Sequence, residues 1–472
     1  MKTRVHLINP PAASGVDMVR EGRCMQRAGA WTAVWPPISL ATIASLLMEE
    51  DLDVRLDDCI IESAGTEDLM KRVRVFGADL FVLNTATGSI VSDLKLADRI
   101  KLEAPDSIIL AIGIHVTALP KESLDMAPGL DAIVSGEPEL TVRDAAIAIR
   151  DGQSLNEIPG LVTRESTDGK PVAARESADL DKLPFPAWQL IQTDLYRLPF
   201  SGNRFLMVGT SRGCPFHCIF CADPTYYGHK LRTKSPERIV EELRRNVEEF
   251  GVRDFLFWSE SFTLKREWTV KVLEAIIDSG LNISFVVNSR TDHVDPELLD
   301  LLKKAGCWMI GFGIESGSQK VLDAVNKKIS VEDNRNAVIW SKEAGLNVTA
   351  HVVLGYPGET EETMEETIDF VCNLPVDYAQ FYCAVPFPGS ELYGRAKEMG
   401  WLNGSPWEMF EQNFSVLQAE GLPPSVVMKY RARAYRRFYG SPGRIWKVIR
   451  DEVGIKGMPR FAKMLVQFRG WV

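Results

Sequence analysis

The sequence predicts two α/β units in series, a doubly wound parallel sheet followed by a partial barrel of six βα repeats, with a helical segment at the C-terminal end. Three observations carry this. Short apolar runs alternate with segments of helical period, and the alternation occurs twice over. It breaks between residues 151 and 200, where Gly, Ser and Pro interrupt the pattern. A tight group of three cysteines then stands just past the first strand of the second unit. The division read from these features is 1–150, a linker at 151–200, 201–400 and a basic helical segment at 401–472.

In the first unit, strands are expected at 5–8, 54–56, 80–83, 108–112 and 132–134. Helices are expected at 38–50, 90–102 and 140–150. Pro36-Pro37 opens the first helix, since proline suits a first turn. Five strands with helical crossovers indicate a parallel sheet. Such sheets bind ligands beyond the carboxyl ends of their strands. The loops there are Asn9-Pro10-Pro11, Asn84-Thr85-Ala86-Thr87-Gly88, Gly113-Ile114-His115-Val116-Thr117 and Ser135-Gly136-Glu137. They are small, polar and rich in glycine, which lets a large ligand approach the backbone.

In the linker, the first part suggests a small hairpin. Leu-Pro-Phe-Pro-Ala-Trp at 183–188 reads as an extended connector. From Phe205 the alternation restarts, with strands at 205–208, 255–258, 284–287, 309–312, 348–354 and 379–385. Sites in βα barrels gather at the carboxyl ends of the strands.

The stretch Thr-Ser-Arg-Gly-Cys-Pro-Phe-His-Cys-Ile-Phe-Cys-Ala-Asp at 210–223 lies at such an end. Cys214, Cys218 and Cys221 have the spacing C-x3-C-x2-C. Thiolates ligate iron–sulfur clusters, and a cubane takes four. Three leave one iron open to bind and activate a substrate. A zinc ribbon uses paired knuckles and a fourth ligand, and no second pair exists here, although His217 or His229 offers a nitrogen. The stretch resembles the signature of the radical S-adenosylmethionine (radical SAM) superfamily. The resemblance implies one 4Fe-4S cluster whose open iron binds SAM, and cleavage of SAM to a 5′-deoxyadenosyl radical.

Further strand ends are similar to the same family. Trp258-Ser259-Glu260-Ser261-Phe262 departs from the D-D-x-F common in relatives, and Glu260 is the residue it implies for the SAM amino group. Asn288-Ser289-Arg290 ends the third strand, and a guanidinium fork such as that of Arg290 suits a carboxylate. Gly311-Phe312-Gly313-Ile314-Glu315-Ser316-Gly317 resembles the G-x-E-S-G segment, with Gly313 giving close approach and Glu315 accepting from hydroxyls or orienting Arg290. Gly355-Tyr356-Pro357-Gly358-Glu359-Thr360 resembles the adenine-side turn, which implies contacts from Gly355 and Pro357. Pro386-Phe387-Pro388-Gly389-Ser390 completes the series. Phe220, inside the cysteine loop, is expected beside SAM.

In the first unit, N-P-P, G-x-H-x-T-x-x-P and V-x-G-E-x-E resemble the cobalamin-binding domain that precedes the barrel in one branch of this superfamily. The resemblance implies a cobalamin pocket formed by Asn9, Pro10, Pro11, Thr85, Thr87, Gly113, His115, Val116, Thr117, Gly136 and Glu137. The D-x-H-x-x-G motif that supplies a histidine to cobalt is absent, as in many members. His115 is read as lining the pocket, not as a cobalt ligand.

Composition limits the alternatives. Across 472 residues, 45% are hydrophobic and 25% charged, which is ordinary for a soluble globular protein. A net charge of −10 argues against nucleic-acid binding by the whole chain. Eight cysteines, five of them scattered singly, suit a reducing cytoplasm and not a disulfide framework. No signal-peptide layout and no long apolar run is present, so a cytoplasmic location is expected. From Lys429 onward, twelve basic residues face two acids, with aromatic and aliphatic residues interleaved. That pattern fits a peripheral contact with an anionic membrane. A helical cap on the barrel gives the same pattern.

The leading functional reading is a cobalamin-dependent radical SAM C-methyltransferase acting on a small molecule, with a lipid or a tetrapyrrole as candidate classes. An external electron donor such as flavodoxin or ferredoxin is implied. The rival enzymatic reading is an oxidative cyclase or rearrangement enzyme with the same cofactors, like the anaerobic porphyrin-ester cyclases. The rival from another class is a non-catalytic corrinoid carrier or sensor. A second cysteine group, as a methylthiotransferase needs, is not in the sequence.

Overall fold

The computed structural model describes residues 2–12, 15–22, 27, 33–168, 173–199, 201–402, 404–419, 421–441 and 443–444. In the first unit the elements run β1 (Arg4–Asn9), α1 (Ile38–Glu49), β2 (Asp53–Asp58), α2 (Thr66–Phe76), β3 (Leu80–Asn84), α3 (Ile90–Glu103), β4 (Ile108–Ile112), α4 (Ile114–Ala118), α5 (Pro120–Met126), β5 (Ala132–Val134), α6 (Glu139–Arg150) and β6 (Leu161–Thr163). The sheet order is β2-β1-β3-β4-β5-β6. The first five strands are parallel and β6 adds antiparallel to β5. β6 completes the sheet beyond the boundary expected at 150, and residues 169–172, in the part of the linker where a hairpin is expected, lie outside the described residues. The central strands β3 and β4 are almost wholly apolar because helices cover both faces, and β3 is buried at every position.

A short helix α7 (Arg164–Asp168) follows. The second unit then runs β7 (Phe205–Gly209), β8 (Ser211–Arg212), α8 (Asp223–Tyr227), β9 (Arg232–Thr233), α9 (Pro236–Phe250), β10 (Asp254–Trp258), α10 (Arg266–Ser279), β11 (Ser284–Ser289), α11 (Pro296–Lys304) and β12 (Cys307–Glu315). It continues with α12 (Gln319–Ala324), α13 (Val331–Glu343), β13 (Asn347–Leu354), α14 (Glu361–Asn373), β14 (Tyr378–Cys383), α15 (Glu391–Glu398) and α16 (Pro424–Tyr439). Six parallel strands in the order β14-β13-β12-β11-β10-β7 form an open, partial barrel. Its helices start cleanly: Ser235, Asp295, Ser330, Thr360 and Ser390 each accept a first-turn backbone N–H, which satisfies donors the helix leaves orphaned.

Helix α16 is a cap on the barrel. It buries Val427, Ala434, Tyr435 and Phe438. Arg431 Nε donates to Phe381 O at 2.8 Å, and Arg433 and Arg437 bond Glu365 at 2.8 and 3.1 Å. The apolar side of this helix is thus used within the protein. The basic residues from Lys447 to Arg469 lie outside the described residues. Among the described residues no helix is long and apolar enough to cross a membrane.

Candidate functional site

Backbone contacts hold the cysteine loop in place. β8 and β9 pair antiparallel and close the loop at its base. Gly213 has φ +86°, and a Cβ there would overlap the Lys230 carbonyl. Only glycine adopts this geometry without strain. Cys214 N donates to Gly228 O at 3.3 Å and Cys221 N to Cys218 O at 3.1 Å. Ile219 N donates to Val325 O, and Leu392 N to Ile219 O, so α12 and α15 brace the loop from outside.

Cys214, Cys218 and Cys221 all line one cavity of about 520 Å³ at the open end of the barrel. Among the described residues no three acidic, His or Cys side chains converge as ligands of a single ion would. Three half-buried thiols around one space suit a multi-iron cluster, whose ligands bind separate corners.

Six of the eight residues expected around SAM reach the same cavity, whereas Gly355, Pro357 and the residues expected around cobalamin are not in its lining. Phe220, Glu260, Asn288, Arg290, Gly313 and Glu315 line it. Glu260 is buried at the end of β10. The Arg290 guanidinium stacks on Phe216 of the cysteine loop at 3.7 Å and donates to both oxygens of Asp292 at 2.9 Å. Burial opposes ionisation of Asp292, yet hydrogen bonds from His293 and Arg290 hold its carboxyl well below the usual range.

One expected pairing is corrected. Glu315 does not orient Arg290. Its Oε1 accepts from Lys327 Nζ at 2.7 Å, and Arg290 also donates to Lys327 O at 2.9 Å. Glu315 has φ +59° at the irregular end of β12, a conformation costing about 1–3 kcal/mol for a non-glycine. A Cβ on Gly313 would lie 2.6 Å from Glu315 Oε1 and 2.8 Å from Lys327 Nζ, so that glycine leaves room for the ion pair. No local pattern marks Lys327.

In the turn after β13, Gly355 and Pro357 frame the backbone while Tyr356 reaches the cavity. Gly355 has φ +92° and packs beneath Val427 of α16. Glu359 Oε2 accepts from Gly355 N at 2.7 Å and Tyr356 N at 3.1 Å. Burial pushes Glu359 up to about 7, against those two bonds.

The expected corrinoid loops also come together, at the carboxyl ends of β1, β3, β4 and β5. Their polar groups largely serve the loops themselves. Asn9 donates to Asp58 at 2.8 Å, and the carbonyls of Pro10 and Pro11 accept from Arg20, which is paired in the interior with Asp93 at 2.7 Å. Thr85 Oγ1 donates to Ile112 O, and Thr117 Oγ1 to Gly113 O, both at 2.8 Å. Gly136 N donates to Thr117 Oγ1 at 3.1 Å. Gly113 has φ +132°, and a Cβ there would sit 2.6 Å from Thr85 O. Thr87 and Val116 are fully buried.

His115 stands apart. It is buried, edge-on to Trp407 at 4.7 Å, and neither ring nitrogen has a hydrogen-bond partner. Burial lowers its pKa to about 3, so the imidazole is neutral. An orphaned buried imidazole of this kind at a loop cluster suits a polar ligand.

Two features of this region have no local sequence signal. Glu137 accepts from Arg212 at 2.8 Å and from Arg232, the two strands of the cysteine-loop clasp. Glu139 accepts from Arg212 at 2.5 Å. The second feature is a cover. Met18 and the 407–411 segment lie on the loops expected to seat the corrinoid: a Cβ on Gly88 would meet Met18 Cε at 2.9 Å and Phe410 O at 3.6 Å. Glu411 is fully buried there and pairs with Arg27. A ring seated directly on Gly88 must displace this cover. The N-terminal strap reaches the barrel too: Ala33 and Trp35 line the cavity, Trp35 meets Trp258 at 5.3 Å, and Gly22 is pressed against the Trp258 ring.

The sequence profile of the Radical SAM superfamily matches residues 208–371, and that of the B12 binding domain matches residues 29–146. An uncharacterised methyltransferase of Pyrococcus horikoshii is 32% identical over 96% of this chain and 95% of its own length. The chain belongs to the B12-binding radical SAM family. Its cofactors are therefore a 4Fe-4S cluster, SAM and cobalamin. A more distant relative, the anaerobic magnesium-protoporphyrin IX monomethyl ester cyclase of Rubrivivax gelatinosus, is 26% identical over 86% of this chain and 74% of its own. Among solved structures, the cobalamin-dependent SAM radical enzyme OxsB shares the fold with a TM-score of 0.76 at 16% identity, over 99% of this chain and 71% of that one.

Proposed function

We propose that this member of the family methylates an unactivated carbon of a small molecule through a 5′-deoxyadenosyl radical. The observation that supports it is the barrel cavity where the three cysteines meet six of the residues expected around SAM, with Ala33 and Trp35 from the chain before α1 in its wall. When bound, the cofactors supply reductive SAM cleavage and a methyl carrier. In this reading Cys214, Cys218 and Cys221 hold the cluster. Glu260, Asn288 and Arg290 bind the polar end of SAM. Phe220, Gly313, Glu315, Gly355 and Pro357 shape its adenosyl side, with Lys327 fixing Glu315. The loops of Asn9–Pro11, Thr85–Thr87, Gly113–Thr117 and Gly136–Glu137 seat the corrinoid. Apolar walls exclude water that would quench a radical. The electron comes from an external donor such as flavodoxin or ferredoxin.

A second reading, oxidative cyclisation, is favoured by the similarity to the magnesium-protoporphyrin ester cyclase. The two separate by product analysis under reductant. Methylation consumes one SAM as methyl donor and one as radical source, giving S-adenosylhomocysteine together with 5′-deoxyadenosine. Cyclisation gives 5′-deoxyadenosine alone.

A further inference from the structure

We propose that the barrel lumen seats the non-reacting arm of the substrate, and that this arm is slender and ends in a protonated amine held by Asp254. The inference rests on the proposed function, because it places the reacting carbon at the cysteine end.

Strand side chains alternate in direction, so every second residue faces the lumen. In closed βα barrels these positions carry bulky branched residues that fill the interior. Here they do not. β12 presents Gly311 and Gly313 inward, β11 presents Ser284, and β13 presents Thr349 and His351. Asn288 and Thr349 flank Gly311 in register on either side. A Cβ on Gly311 would overlap Asn288 Oδ1 and approach His351 Nε2 at 3.0 Å. The missing side chains leave a space that continues from the cysteines down to Asp254, Ser284 and Asn203 at the opposite end of the strands.

That depth is considerable. Asp254 and Ser284 are register partners at the floor. Asn288, four residues up β11, marks the SAM end. Four residues of strand span about 13 Å. The wall between is apolar on one side, from Leu256, Val286 and Met309, and neutral hydrogen-bonding on the other, from Thr349, Gln380 and Tyr378.

The floor carries the charge. Below Asn288, Asp254 is the one acid among the described lining residues, and no lysine or arginine lines that half. Asn203 Nδ2 donates to Asp254 Oδ2 at 3.3 Å. Asn203 and Ser284 are the groups that oppose its desolvation, and neither is a cation. The adjacent Arg253 turns away, donating to Leu281 O and Asn282 O. An ammonium group placed at the floor would make a charge-assisted hydrogen bond with this half-buried carboxylate. An anionic head meets that carboxylate and, among the described lining residues, no cation there.

The test uses the full chain with its cluster reconstituted and three straight-chain amines, butylamine, octylamine and dodecylamine, with octanoate as control, by titration calorimetry. Octylamine is expected to bind and octanoate not to. Asp254→Asn, an isosteric change, is expected to weaken octylamine about tenfold or more, and Ser284→Leu, which plugs the floor, to abolish binding. Binding of octanoate as tight as octylamine, no binding of any amine, or octylamine binding unchanged in Asp254→Asn overturns the proposal. If Ser284→Leu fails to fold, Asp254→Asn decides alone. SAM cleavage by the wild-type preparation is measured in parallel. Cleavage without amine binding removes only the lumen inference, whereas no cleavage removes the proposed function beneath it.

Discussion

Glu137, just past the last parallel strand of the first sheet, accepts a hydrogen bond from Arg212 at 2.8 Å, and Arg212 stands two residues before Cys214. Glu139 shares the same guanidinium, and its side chain is 1% exposed. The loops proposed to seat the corrinoid and the cysteine loop are thereby joined by one charged cluster. Removing a single partner from such a cluster leaves uncompensated charge, at a cost of about 3–5 kcal/mol. Arg212→Met is expected to destabilise the protein by that order in denaturant titration and to lower the iron retained after reconstitution.

Gly213 tests the loop without touching a thiol. Alanine there faces both φ +86° and the Lys230 carbonyl. Strain of about 1–3 kcal/mol from the backbone alone falls on the loop that carries the cysteines. Gly213→Ala is expected to keep all thiols but to assemble less cluster, read as absorbance near the sulfur-to-iron charge-transfer band.

The turn at Glu359 gives a pH signature. Burial raises its folded pKa to about 7, above the value of an exposed glutamate. The folded state then binds the proton more tightly than the unfolded state. Stability from this group is full below the unfolded pKa and is lost as pH rises through about 7. The size is on the order of 3 kcal/mol. Glu359→Gln is expected to flatten this part of the stability profile, measured by denaturant titration across that range.

How much of this is legible in the sequence depends on range. The parallel strands are, because a buried strand between helices reads as a short apolar run. The cysteine loop is, because its ligands lie within eight residues. β6 is not: Leu-Val-Thr is three residues long and owes its place to pairing with β5. The expectation that Glu137 belongs to the corrinoid pocket alone misses Arg212, whose partner lies 75 residues away. Lys327 is missed at shorter range, since a loop lysine carries no pattern until Glu315 is folded beside it. The hollow lumen is written as Gly, Ser and Thr at alternate positions, and becomes readable only once the inward face of each strand is known.

The cover over the corrinoid loops must respond to the cofactor. Met18, Phe410 and Glu411 sit against Gly88, and Trp407 sits on His115. Loading with hydroxocobalamin is expected to raise amide hydrogen exchange across residues 405–416, because the segment leaves its packed position. Unchanged or slower exchange there contradicts a corrinoid seated on Gly88.

The most direct measurement is the iron and corrinoid content of anaerobically purified protein after reconstitution with iron, sulfide and hydroxocobalamin, beside the Cys214→Ala, Cys218→Ala and Cys221→Ala triple variant. The account predicts about four irons and one tightly held corrinoid per chain, with the iron lost in the variant. Iron without corrinoid contradicts the methyltransferase reading, and iron retained by the triple variant contradicts the cluster assignment itself.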